Sequence, residues 1–185
     1  MEKQNDHIVP IEEIETTHLR LRRPTTADTL ILGDLWRNEQ VRQFLGGVVS
    51  QDVIEGKIAS LREHWNEYGF GQWAISEKET GQIIGLCGLH HSEEGIEISY
   101  MFFPAIWGRG RAIEAASASL NHGFHRLKFE RIVAITQEAN RGSCRLLEKV
   151  GMYHIDNLWR WNASQRVNSY TQTEWLAREE YKERF

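Results

Sequence analysis

The six residues Trp107-Gly108-Arg109-Gly110-Arg111-Ala112 constrain this chain more than any other stretch. Ile96 to Phe103 before them reads as a strand stopped by Pro104, and Glu114-Ala115-Ala116 after them continues a helix of small residues suited to tight packing on a sheet. Glycines at such a junction let the backbone approach a ligand closely and bring successive N–H groups together. The helix N-terminus adds a partial positive charge. Arg109 and Arg111 supply two cationic side chains, so the loop has the makings of an anion site. The same letters also describe a plain glycine turn with two solvated arginines, and the rest of the chain must decide. A dinucleotide fingerprint lacks its third glycine here, and a P-loop would need Gly-Lys-Ser/Thr.

The surrounding pattern is α+β, in one domain spanning residues 1–185. His18 to Arg23 alternates apolar and basic residues, a half-buried strand ended by Pro24. Thr25 to Asp28 offers cap chemistry for a helix carrying Leu30, Ile31, Leu35 and Trp36. Beyond a Gly46-Gly47 elbow, a second helix from Ser50 to Tyr68 places Val53, Ile54, Ile58, Leu61 and Trp65 on one stripe. Three strands follow, at 72–76, 82–91 and 96–103, joined by turns at Thr80-Gly81 and Glu93-Glu94-Gly95. A helix over 110–125, a strand over 131–136, a helix over 140–150 and a strand pair across 152–173 complete the reading. Glu174 to Phe185 is a charged, short helix with a solvated face.

Composition excludes several classes. A formal charge of -4 argues against a nucleic-acid-coating role, which wants a basic face. No run approaches the roughly 18 apolar residues of a membrane span, and Met1 to Glu15 holds no apolar leader segment. A cytoplasmic protein is expected, as monomer or homodimer. Cys87 and Cys144 sit in apolar patterns and read as buried hydrophobes, while no metal-ligand spacing occurs, so no metal is expected.

Two motifs in order resemble the GNAT superfamily of N-acetyltransferases. Trp107 to Ala112 is similar to its acetyl-CoA loop Q/R-x-x-G-x-G/A, with Gly110 and Ala112 at the last two fixed positions and Trp107 in place of Gln or Arg. Asn140-Arg-Gly-Ser143, followed by Glu148-Lys149 and Gly151-Met152, resembles the N-x-x-S-x-x-x-x-E-K-x-G-F segment. Leu19 to Arg22, Gly81 to Gly88 and Tyr170 to Trp175 extend the likeness to the Rim-like, Acetyltransf-3 branch over nearly the full length. The resemblance implies a mixed, twisted central sheet of about seven strands flanked by helices. The sheet would be splayed between the strands at 96–103 and 131–136, where the pantetheine arm enters.

The implied chemistry is acetyl transfer from acetyl-CoA to an amine. By that resemblance, pantetheine pairs with backbone near Phe102 and Phe103, and an amide of Met101 or Phe102 faces the thioester carbonyl. Loop 107–112 (Trp107, Gly108, Arg109, Gly110, Arg111, Ala112) holds the pyrophosphate, through the amides from Arg109 to Ala112. Glu97, opposite in phase to Ile96, Ile98 and Tyr100, is the candidate base, against the plainer reading of an exposed strand carboxylate. Many family members place a Tyr where this chain has Leu147. The Rim-like branch carries a Ser one turn earlier, matching Ser143, the candidate for stabilising the leaving thiolate. Asn140 is an N-cap whose amide also reaches pantetheine. Tyr100 reads as packing in the cleft, His90 and His91 as solvated strand-end histidines, and Trp36, Trp65 and Trp73 as core or as walls of the acceptor site.

The Rim-like likeness implies the α-amine of a protein N-terminus, such as a ribosomal protein's, as acceptor. A small-molecule amine (a polyamine, amino acid or aminoglycoside) is the first alternative, and a non-catalytic acyl-CoA-binding module the second.

Overall fold

The computed structural model describes residues 13–184, so the reading of residues 1–12 as free of a leader lies outside the described residues. Eight strands form one sheet in the order β1-β2-β3-β4-β5-β6-β8-β7. They are β1 (Glu13–Glu15), β2 (Leu19–Arg22), β3 (Gln72–Glu77), β4 (Ile83–Ser92), β5 (Gly95–Phe102), β6 (Arg131–Gln137), β7 (Tyr153–Arg160) and β8 (Ala163–Thr171). Every neighbouring pair is antiparallel except β5 with β6. The sheet has one strand more than expected. Strand β1 has three residues and a single apolar side chain, too short to show a period of two.

The helices are α1 (Thr29–Arg37), α2 (Glu39–Arg42), α3 (Gln51–Tyr68), α4 (Arg111–Asn121), α5 (Arg141–Val150) and α6 (Gln172–Arg184). Strand alternation divides them between two faces. On one face Leu86 of β4 and Met101 of β5 pack with Leu32, Leu35 and Trp36 of α1 and with Ile54 and Ile58 of α3. On the other, Leu89, Ile98 and Phe102 join Ala115, Ala116 and Leu120 of α4 and Leu147 and Val150 of α5. Burying so many aliphatic side chains, at roughly 1.5–3 kcal/mol each, is what holds the helices on the sheet.

Two helix ends differ from the sequence reading. Helix α4 stops at Asn121 and gives way to a π-turn over His122–Arg126 that seats Phe124 in the core. Helix α6 is not only a solvated face: Trp175 is buried, with its ring centroid 5.6 Å from both Phe124 and Tyr170.

Candidate active site

The glycine loop sits where the sequence placed it. After a 3-10 turn at Pro104–Ile106, Gly108 (φ 77°) and Gly110 (φ 78°) take left-handed conformations, and Gly110 becomes the N-cap of α4. The amides of Arg111, Ala112 and Ile113 therefore head a helix with no carbonyl before them to accept their protons. Arg109 contributes differently from expectation, because its amide closes the preceding turn onto the Ile106 carbonyl at 3.3 Å. The Arg111 guanidinium is likewise engaged, its Nε donating to Glu77 at 3.1 Å. Trp107 is half exposed and uses its Nε1 to donate to the Phe102 carbonyl at 2.9 Å, which ties the loop to the end of β5.

Strands β5 and β6 touch at one aligned pair, Glu97 with Val133, and then separate. Ser99 to Phe102 thus runs along a gap, the splay expected from the resemblance. Ladder geometry decides which amides face it. Phe103 donates to the Ile84 carbonyl at 3.0 Å, so by alternation Met101, Ser99 and Glu97 also bond to β4. The amides of Tyr100 and Phe102 point the other way, into the gap. This corrects Met101 and Phe103 as backbone contacts: their N–H groups are engaged by β4, and only Phe102 of the three residues proposed retains a gap-facing amide.

Side chains of β5 flank the gap from both faces. Glu97 shares the face of Met101 and of its cross-strand partner His90. It is half-buried rather than fully exposed. Burial pushes its carboxyl up to about 7, and the nearby Glu94 charge adds to the shift, while Ser92 and Arg160 pull partly back. A carboxyl in that range exchanges protons near neutral pH, which is what a general base needs.

On the opposite face the Tyr100 hydroxyl lies 2.7 Å from Ser143 Oγ. Ser143 occupies the first turn of α5, held there by its own amide donating to Asn140 Oδ1 at 3.0 Å. Asn140 is thus the N-cap expected, a contribution of about 1 kcal/mol. Tyr100 does more than pack, a role that strand alternation alone did not reveal. Burial pushes its phenol above the ordinary tyrosine range, and the bond to Ser143 pulls it only partly back.

The remaining candidates fall outside this pair of faces or change character. His90 is not a solvated strand-end residue. Its Nε2 lies 3.0 Å from Ser99 Oγ, which accepts from Gln72 at 2.6 Å, and its Nδ1 is buried without a partner among the described residues. Trp36, Trp65 and Trp73 are buried core residues, with the rings of Trp65 and Trp73 4.6 Å apart, and do not wall an open site. The acidic turn Glu93-Glu94 is capped from the β7–β8 hairpin by Arg160, whose Nη2 lies 3.0 Å from Glu93 and 2.7 Å from Glu94. A cleft of about 760 Å³ between α1 and the end of β5 reaches Arg109 and Phe103 but neither Glu97 nor Ser143, so it is not where the candidate catalytic groups meet. Cys87 and Cys144 are free and buried, in keeping with their apolar surroundings in the sequence.

A mixed sheet split between its two parallel strands, with a glycine loop heading a helix beside the split, is the architecture expected of an acetyltransferase that uses acetyl-CoA. A family model described as an Acetyltransferase (GNAT) domain matches residues 18–153. The uncharacterized N-acetyltransferase YoaA of Bacillus subtilis is 30% identical over 144 residues, 75% of this chain and 81% of that protein. Among solved structures, a spermidine N-acetyltransferase from Vibrio cholerae in complex with CoA and spermine aligns with TM-score 0.75 at 16% identity, covering 87% of this chain and 99% of its own. A ribosomal-protein-S5-alanine acetyltransferase from Vibrio fischeri aligns with TM-score 0.72 at 14% identity, covering 88% and 98%. The chain belongs to the GNAT acetyltransferase family and is an N-acetyltransferase.

Proposed function

We propose that this enzyme transfers the acetyl group of acetyl-CoA directly to a primary amine in a ternary complex, in the cytoplasm, with the α-amine of a protein N-terminus as acceptor. The observation behind this reading is the arrangement of β5, with the Glu97 carboxyl on one face, Ser143 beyond the other and an unpaired stretch of backbone between them. A thioester lying along the gap would meet the Phe102 amide at its carbonyl oxygen, and the first-turn amides of α4 would hold its pyrophosphate. Glu97, directly or through a water, would take the proton of the attacking amine. Ser143 would hydrogen-bond the departing thiolate.

Proton affinity favours an α-amine. Free α-amino groups titrate near 7.7–8.0 and alkyl ammonium groups near 10.4, a difference of about 2.6 units or roughly 3.5 kcal/mol. A base poised at about 7 takes the former's proton at little cost. The acidic turn beside it is already engaged by Arg160, which bonds both Glu93 and Glu94 and so takes up part of the negative charge that a polycation would seek there. Of the two acceptor types seen among neighbours of the fold, this favours the protein N-terminus over spermidine-like amines.

Isothermal titration with acetyl-CoA and CoA, followed by acetyl transfer to N-terminal peptides beside spermidine, tests the proposal. Binding with turnover of peptides supports it. Turnover of spermidine alone moves the acceptor to the small-amine class, binding without turnover leaves an acyl-CoA-binding module, and no binding removes the site.

A further inference from the structure

The two hydroxyls that meet behind the gap differ in kind, and the difference assigns their roles. A hydroxyl has one proton and two lone pairs, so only one of Tyr100 and Ser143 donates in their 2.7 Å bond. Phenol is the stronger acid and the better donor, ordinarily titrating near 10. Ser143 Oγ then accepts, and its own proton is left to point elsewhere. A serine in a helix usually returns that proton to a carbonyl one turn back. Here Ser143 Oγ makes no such bond to its own helix, and among the described residues Tyr100 is its one partner.

We propose that Tyr100 is a positioning residue for the leaving group: its phenol donates to Ser143 Oγ and so aims the serine proton at the CoA sulfur in the gap. The inference rests on the assignment of the β5–β6 gap as the thioester channel. No net proton transfer is involved. The sulfur departs with the electron pair of the broken C–S bond and remains a thiolate, whereas the buried tyrosine, held above its ordinary range, is the weaker acid. Passing a proton from phenol through serine to sulfur would run uphill, so the relay acts as a directed, charge-assisted hydrogen bond. Tyr100 does not touch the substrate in this arrangement. Its effect passes through Ser143, which the Asn140 cap holds from the other side.

Product CoA gives a test independent of the acceptor. The thiol of CoA bound to the purified protein is titrated by its ultraviolet thiolate absorbance. In the wild type it ionises at a lower pH than free CoA titrated in the same buffer. Tyr100→Phe and Ser143→Ala each return it toward the free value by about half a unit or more, and the double variant goes no further than Ser143→Ala alone. In turnover, Tyr100→Phe lowers kcat about tenfold while KM for acetyl-CoA stays unchanged. Replacing Tyr100 by 3-fluorotyrosine, which keeps the ring and acidifies the phenol, moves the bound thiol in the opposite direction and guards against a misfolded phenylalanine variant. CoA that binds but titrates identically in the wild type and both Tyr100 variants overturns the role of Tyr100. Failure of the wild type to bind CoA instead overturns the channel assignment itself.

Discussion

At Glu97 a carboxyl sits half-buried on β5, and the desolvation that raises it to about 7 acts on activity and on stability in opposite senses. Activity needs the ionised form, so kcat/KM is expected to rise with pH through about 7 in the wild type. Glu97→Gln is expected to lower kcat by about 10²- to 10⁴-fold while leaving CoA affinity nearly intact. Steady-state rates across pH check both points, and wild-type turnover in the glutamine variant would remove Glu97 from the mechanism. Stability runs the other way. The folded pKa lies above the unfolded value of 4.5, so the contribution of Glu97 is fully present below 4.5 and is lost as pH rises through about 7. The glutamine variant, which carries no charge to desolvate, should match the wild type in Tm near pH 4 and exceed it at pH 8. Thermal unfolding at the two pH values measures this, and equal Tm values at pH 8 would show that the carboxylate is solvated after all.

Among the elements, the glycine loop and α4 act as one unit. Gly110 has φ 78°, and no atom lies within 4 Å of the point where a Cβ would stand, so a side chain there would project into open space at the head of the helix. Gly110→Asp would place a negative charge beside amides that the proposal gives to a pyrophosphate. CoA affinity should fall at least tenfold by titration calorimetry, and affinity equal to wild type would reduce the loop to a glycine turn. Long elements were legible because their periods repeat. The stripe of Ile54, Ile58 and Trp65 on α3 and the Asn140 cap of α5 are properties of neighbouring residues. Strand β1 and helix α2, with three and four residues, complete no second period and left no trace in the pattern. The π-turn after α4 was hidden for a related reason: its first residues continue the helical spacing, and the widening accompanies the burial of Phe124.

For the whole molecule, a ligand threaded between β5 and β6 would join two parts of the sheet that touch at a single aligned pair. Acetyl-CoA at about 100 times its Kd should stabilise the fold by about 2.7 kcal/mol, or roughly 5–10 °C in Tm for a chain of this size. A thermal scan with and without ligand reads it, and the shift should shrink in Gly110→Asp. The sequence by itself determined the order of the longer elements, the glycine loop at the head of α4, the capped start of α5 and the parity of Glu97 on its strand. Each of these follows from spacing, caps and backbone freedom within a few residues. Only the tertiary structure decided that Phe102 rather than Met101 or Phe103 turns its amide to the gap, because that depends on which strand lies on each side of β5. It alone brought Tyr100 to Ser143 across 43 positions and Arg160 to Glu94 across 66. The proton affinity of Glu97 belongs with these, since desolvation is set by the neighbours that folding collects around a carboxyl and not by the residues beside it in the chain.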